Sequence, residues 1–491
     1  MTDNSLSKKI LGSSFWRYLS SWSDRLIGFA STIILARLLV PDDFGIVASA
    51  GIVTGIFHVI ASVGTEEYLI RKDNVSNADL NTGWTVNAIM KSITALSIFM
   101  LSGIIADFMG DQRLDLVLQV ASIPPFIAGF ANIGMVLHTK NYNIKPSFCV
   151  GFTTRLVGFG VKISLAIVLE SYWAFILSDI IATLVYLLGT FLAHSYRPKF
   201  SLLNWKEQWM FSQWVLLKSI FVFLRYRIDT IFIAKIFSAE SLGGYSVAKD
   251  VATMPAGQIV GPITGSLYVG LSSINQDASL FADKTHKAIC ALFIVALPIS
   301  FGTYITSTEL VCVLLGDKWK EVVPLVMILS FTLLPSILGD FLTKVMTALG
   351  KVKLIFKLEL LFGVLTVSIF TILAGQMSLE SFAILRVMTI FLNTFIVLLV
   401  LSIKSSLSFF RIIALTIIPI ISALFMVLAI LDIQPMISQY TSIVQLLIKV
   451  SLGALSYLLM VSMFVYLFRN RVNEYQFIWK TFYLSMYKRI L

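Results

Sequence analysis

Three charges crowd the stretch LRYRIDTIFIAK (224–235): Arg225, Arg227 and Asp229 sit in a run otherwise apolar enough to cross a bilayer. A charge at mid-membrane costs several kcal/mol unless it is paired or hydrated. On a helix, Lys218 and Arg225 are nearly eclipsed two turns apart, and Asp229 follows one turn later on the same stripe, while Arg227 points to the other side. Arg17 and Asp24 repeat that spacing, with Arg25 beside them. Further cations fall inside apolar runs at Lys91, Arg155, Lys162, Lys249, Lys344 and Arg386; the anions at depth are Asp24, Asp179, Asp229, Asp250, Asp340 and Glu359. Any one of these is explained by internal pairing, as for Arg225 with Asp229 and, in part, Lys249 with Asp250, although neighbours i and i+1 do not face each other on a helix. Lys91, Lys357 and Lys449, near the ends of their runs, are expected to snorkel to the interface. Collectively the cations are in excess, and a surplus buried cation is tolerated only in a wet cavity. A cationic cavity suits a diphosphate, and arginine's planar fork suits phosphate oxygens especially. The expected anion-binding set is Arg25, Arg17, Lys218, Arg225, Arg155, Lys162 and Lys249, with Asp24, Asp229 and Asp250 as charge partners. Arg225 and Asp229 are expected to face the cavity, the aspartate keeping the arginine solvated and oriented.

The elements that must position these charges are membrane spans. The 491 residues are 57% hydrophobic and only 13% charged, against roughly 25% charged in soluble proteins. Apolar runs long enough to cross about 30 Å of hydrocarbon recur from end to end. They fall at 13–39, 43–67, 82–108, 115–138, 148–168, 172–194, 210–236, 243–272, 286–307, 319–348, 351–374, 378–402, 407–431 and 441–468, which makes fourteen. The connections are too short for a soluble domain, so the fold class is an all-α polytopic membrane protein. The net charge of +11 is not a nucleic-acid footprint, because the basic residues collect in every second loop and in the C-terminal tail, with little besides Arg113, Lys318 and Lys320 in the others. That is the positive-inside pattern, and it puts both termini in the cytoplasm. The first segment carries Arg17, Asp24 and Arg25 and no clean small-residue cleavage site, unlike a secretory signal. Cys149, Cys290 and Cys312 have no metal spacing and read as small core residues; His58, His138, His194 and His286 are dispersed without partners at useful spacing.

The chain repeats itself weakly. ARLLVPDDFGIVASA (36–50) aligns with AKIFSAESLGGYSVA (234–248) at a constant offset of 198. Six spans lie between the copies, so the halves are parallel repeats with a site expected between them at mid-depth. The organisation expected is a six-span lobe over 1–200, a second over 201–402, two appended spans over 403–468 and an amphipathic cytoplasmic tail over 469–491, mixing aromatic and basic residues as membrane-surface helices do. Pro255 and Pro262, flanked by glycines in MPAGQIVGPITG, interrupt the eighth span and are candidate hinges; Pro124–Pro125 and Pro335 are further kinks.

ARLLVPDDFGIVA, GGYSVAKDVATMP and LLGDKWKEVVPLVMILSF (316 lies in the last) resemble, in order, segments of the Wzx-type polysaccharide flippases. These belong to the MOP superfamily, which also holds the multidrug/ion antiporters (MATE) and the MurJ lipid II flippases, and the resemblance runs over essentially the whole chain. It implies two six-helix lobes rocking about a central cavity in a bacterial inner membrane. It also implies a cargo of undecaprenyl-diphosphate-linked oligosaccharide, with membrane lipids, a polysaccharide polymerase and a chain-length regulator as the other partners. Arg25-Leu26-Ile27-Gly28-Phe29 looks like the stretch that carries a cavity arginine in the lipid II branch, but Ser31 stands where that branch has a second arginine, which counts against lipid II. The drug antiporters place a cation-binding aspartate near the level of Ser31, whose counterpart in the repeat is Asp229, so a cation site in the second lobe is conceivable. No cofactor or metal is implied beyond coupling to a proton or sodium gradient or to the membrane potential. An ion-coupled exporter of small amphiphiles is the alternative from the same superfamily. A membrane enzyme is disfavoured by short external loops and scattered histidines, and no G-x-x-x-x-G-K loop for ATP is present.

Overall fold

The computed structural model describes residues 3–62, 64–272, 274 and 276–483, and all regular structure among them is helical. Side chains inside a few helical stretches, including those of Lys218, Arg225, Pro255 and Pro262, lie outside the described residues. The chain divides into two compact units, Met1–Ser246 and Val247–Leu491.

The first unit holds α1 (Asp3–Leu38), α2 (Pro41–Ala61), α3 (Thr65–Arg71), α4 (Asn77–Met109), α5 (Arg113–Ala121), α6 (Ile123–Gly129), α7 (Met135–Lys140), α8 (Lys145–Leu169), α9 (Trp173–Ala193), α10 (Trp205–Ile236) and the start of α11 (Ala239–Ser272). The ends follow local chemistry. Pro41 opens α2 with Asp42 and Asp43 in the first turn, where acidic groups complement the helix dipole. Ser76 caps α4, its Oγ accepting from Asp79 N–H at 3.2 Å while Ser76 N–H donates to Asp79 Oδ2 at 2.9 Å. Gly110 ends α4 at φ 77°, a left-handed position suited to glycine, and Asp111 N–H closes back on Ala106 O at 3.2 Å. Pro124 and Pro125 open a new short helix in the broken 113–140 segment instead of kinking a continuous one. Ile46, Val53, Ile98, Val117, Leu118 and Ile176 form an apolar core between α2, α4, α5 and α9.

The second unit continues through α12 (Ala278–Ile305), α13 (Ser307–Leu314), α14 (Val323–Ser330), α15 (Leu333–Ala348), α16 (Val352–Leu373), α17 (Leu379–Lys404), α18 (Phe409–Ile437), α19 (Ser442–Phe468) and α20 (Asn473–Ile478). Trp319, in the LLGDKWKEVVPLVMILSF motif, is fully buried in a 3₁₀ turn between α13 and α14. The appended helices α18 and α19 pack on α12, where Tyr457 Oη donates to Ile294 O at 2.8 Å.

Among the described residues, ten segments are long and apolar enough to span a membrane: 41–71, 77–109, 145–169, 173–193, 278–305, 317–348, 352–376, 379–404, 409–437 and 442–468. The remaining four of the fourteen expected are the polar ones. α1, α10 and α11 are long enough but charged or glycine-rich, and 113–140 is divided into three short helices. α10 packs on α2, α3 and α4 and so belongs with the first compact unit, whereas the sequence draws the lobe boundary at 200/201.

Candidate functional site

The charges expected to bind anions are more thoroughly paired than their count suggests. Arg155, midway along α8, forms an ion pair with Asp24, midway along α1. Lys162, two turns on, reaches Asp179 of α9 at 3.7 Å and lies 5.2 Å from the centre of the Phe175 ring. Two of the seven expected anion ligands are thus neutralised within the first unit, and Asp24 serves α8 and not its helical neighbour Arg17. Arg17 is exposed and has no ion-pair partner among the described residues. Arg25 is half-buried one position after Asp24.

Asp229 does not face an open cavity. It is fully buried, and Tyr245 Oη, from the first turns of α11, donates to its Oδ2 at 2.9 Å. Thr230 Oγ1 adds a longer bond to Oδ1 at 3.4 Å. A carboxylate with no access to water needs such donors, and one of them comes from the next helix. Lys218 and Arg225 are on α10, but their side chains lie outside the described residues, as do the rings of Pro255 and Pro262 on α11. Lys249 is half-buried and Asp250 exposed on α11. Lys344 finds a neutral partner, donating to Thr264 Oγ1 at 2.7 Å.

Other expectations are corrected. Lys449 does not snorkel; it is buried and donates to Glu309 Oε1 at 2.7 Å, tying α19 to α13. The part of the tail among the described residues is docked instead of free, since Glu474, Tyr475 and Ile478 of α20 are buried and Arg411 Nε of α18 lies 2.7 Å from Glu474 Oε1. Cys149 is exposed, unlike Cys290. His138 and His194, far apart in sequence, meet edge to face with ring centres 5.0 Å apart. Burial, together with His138 and Arg197, pushes the His194 imidazole down, so it stays neutral near pH 7.

The polar ladder missed by sequence reasoning lies on the connector 194–204. Lys199 N–H donates to Asn81 Oδ1 (3.0 Å), Ser201 N–H to Thr85 Oγ1 (3.0 Å) and Asn204 N–H to Thr82 Oγ1 (3.2 Å). The Tyr196 phenol donates to Asn81 Oδ1, and burial pushes it up to about 12, so it remains a donor. Lys72 closes the cluster, 2.9 Å from Asp79 and 3.1 Å from Glu207, and these bonds hold its ammonium above the usual value. The signal was present as NTGWT (81–85), a polar run at the start of an otherwise apolar span.

A chain whose described residues are all helical, with ten segments long and apolar enough to cross a bilayer, is a multi-pass membrane protein. It belongs to the polysaccharide biosynthesis protein family, whose signature matches residues 34–324. The chain is 22% identical over 385 residues to the lipopolysaccharide biosynthesis protein WzxC of Escherichia coli, covering 76% of this chain and 77% of that one. It is 21% identical over 336 residues to the succinoglycan biosynthesis transport protein ExoT of Rhizobium meliloti, covering 68% of each. The fold resembles the lipid II flippase MurJ in an inward closed conformation, with a TM-score of 0.71 at 12% identity, over 93% of this chain and 99% of the other. The kinship expected from the motifs stands on these findings as membership of the polysaccharide biosynthesis protein family and a MurJ-like fold.

Proposed function

We propose that this protein moves a polyprenyl-diphosphate-linked oligosaccharide, of the undecaprenyl class, from the cytoplasmic to the outer leaflet of a bacterial inner membrane by alternating access, for polysaccharide synthesis. The observation that carries the reading is the Asp24–Arg155 pair: both side chains are about two-fifths exposed (38% and 39%), Asp24 midway along α1 and Arg155 midway along the apolar helix α8. Lipid cannot solvate a half-exposed ion pair cheaply, so these groups border water inside the membrane. A wet, charged wall at mid-depth suits a hydrophilic head group drawn across the bilayer. In this reading two lobes, 1–200 and 201–402, rock with both termini cytoplasmic, and Pro255 and Pro262 serve as hinges. Arg17 and Arg25 on α1, with Lys218 and Arg225 on α10 and Lys249 on α11, contact the diphosphate, while Arg155 and Lys162 act as pairs with Asp24 and Asp179. The relatives' names, for lipopolysaccharide and succinoglycan synthesis and transport, support the cargo class.

The test is complementation of a deletion strain, with surface polymer measured at matched membrane levels. Arg225→Ala should abolish output, and Arg225→Ala with Asp229→Asn should stay inactive while inserting normally. Full rescue by that double variant would make Arg225 a structural partner. A wild-type chain that changes drug susceptibility but restores no polymer would transfer the protein to the amphiphile exporters.

A further inference from the structure

The two copies of the internal repeat touch, and they touch through equivalent residues. Offset by 198, Pro41 corresponds to Ala239 and Gly45 to Gly243. A Cβ built on Gly45 would lie 1.7 Å from the Ala239 carbonyl oxygen, and one built on Gly243 would lie 1.9 Å from that of Pro41 and 2.6 Å from Gly45 N. Each glycine therefore seats the first carbonyl of the other copy's helix, with room for a hydrogen and nothing larger. Small residues allow such approach between membrane helices, and the contact itself is of the weak Cα–H···O kind.

The surroundings obey the same correspondence. Asp43 Oδ2 accepts from Val40 N–H at 3.2 Å in the first copy, and Ser238 Oγ accepts from Ser241 N–H at 3.2 Å in the second. Residues 40 and 238 correspond, as do 43 and 241, so each helix start is capped by its own copy. Asp43 Oδ1 is taken by Tyr172 N–H at 3.0 Å. The capping groups at the contact thus find partners within their own copies; one exposed polar bond crosses, from Lys235 Nζ to the Phe108 carbonyl oxygen, and what fits the two helix starts together is shape. Such a joint closes tightly, yet can part without stranding a buried charge. It also sits where α1 turns into α2 and α10 into α11, at the far end of the helices that carry Arg25 and Arg225.

We infer that the reciprocal seat of Gly45 on Ala239 and Gly243 on Pro41 is the outer gate of the transport cycle, shut in this structure and parted when the cavity opens outward. The inference rests on the alternating-access reading above and on the topology that places residues 39–41 and 237–239 outside.

The experiment uses the full chain with its three cysteines replaced and Leu242→Cys as reporter, at a position buried beside the contact. Intact cells are treated with a membrane-impermeant maleimide. With native glycines, labelling should be slow and should rise when the cells make the lipid-linked repeat unit; a static joint stays unlabelled in both conditions and overturns the gate. Gly45→Ala and, independently, Gly243→Ala should raise labelling roughly tenfold, as a minor open state of about 10% becomes the main one, and should lower surface polymer. Gly375→Ala, where an added Cβ meets open space, is the control expected to change neither. Glycine variants with unchanged labelling, or with raised labelling and normal polymer, refute the gate while leaving the flippase reading intact. Failure of the wild-type chain to support polymer refutes the flippase reading itself. If neither glycine variant reaches the membrane, the dependence of native-glycine labelling on cargo supply decides alone.

Discussion

Removing Lys449 should destabilise the second compact unit severely, and removing Glu309 with it should restore most of the loss. The two groups lie 2.7 Å apart with side chains 2% and 7% exposed. At that separation the attraction is about 6 kcal/mol for an effective dielectric of roughly 20. Desolvating each ion costs several kcal/mol, so the pair as a whole contributes little net stability. Removing one partner is different, because the survivor stays buried and uncompensated at a cost of about 3–5 kcal/mol. For a domain of this size that is a fall in melting temperature of roughly 6–20 °C. Lys449→Met and Glu309→Leu singly should both show it when the purified protein is melted in detergent. The double variant, with apolar side chains of similar volume, should melt within a few degrees of the wild type. If Lys449→Met alone melts like the wild type, or if the double variant is as unstable as the singles, α19 is not joined to α13 by this pair.

Two further outcomes are expected. Asp24→Asn, which breaks a half-exposed pair, should cost no more than about 1 kcal/mol while reducing polymer output, and exchange of the two charges (Asp24→Arg with Arg155→Asp) should recover the stability; a melting loss as large as that of Lys449→Met would place the pair in a dry core. Hydrogen bonds from Tyr68 and Lys72 hold the exposed Glu207 carboxyl below the usual range, so its contribution to docking the start of α10 is present above the unfolded value of about 4.3 and is lost as pH falls through the folded one; proteolysis of the 194–204 connector should accelerate on acidification in the wild type, and Glu207→Gln should cleave at the acid-form rate already at neutral pH.

The helices were legible because hydropathy and length alone place them, and the ten strongest apolar segments coincide with ten of the expected spans. The charge partnerships were not. Asp24 and Arg155 are 131 positions apart and Glu309 and Lys449 are 140 apart, so nothing local announces either pair. Lys449 did carry one readable sign: it shares a helical stripe with the buried Gly453, Ser456 and Tyr457, which argues for an inward face over an interfacial one. The pairing of Asp229 with Arg225 is expected because helical spacing is visible in a sequence, whereas the bond that Asp229 accepts from Tyr245 on the next helix is not. The repeat was legible as matching turns, but not that the matching glycines would meet.

That meeting has a bearing on origins. Where residue i touches the counterpart of j, and j the counterpart of i, the geometry is that of an isologous dimer. Had the two copies once been separate, identical subunits, a single glycine-to-alanine change would have struck the contact twice, once from each side. After fusion the same change strikes once, and each copy can diverge under its own constraints. The divergence is visible around the fixed point: Pro41 has Ala239 as its counterpart and Asp43 has Ser241, while the two seated positions, Gly45 and Gly243, are the same residue.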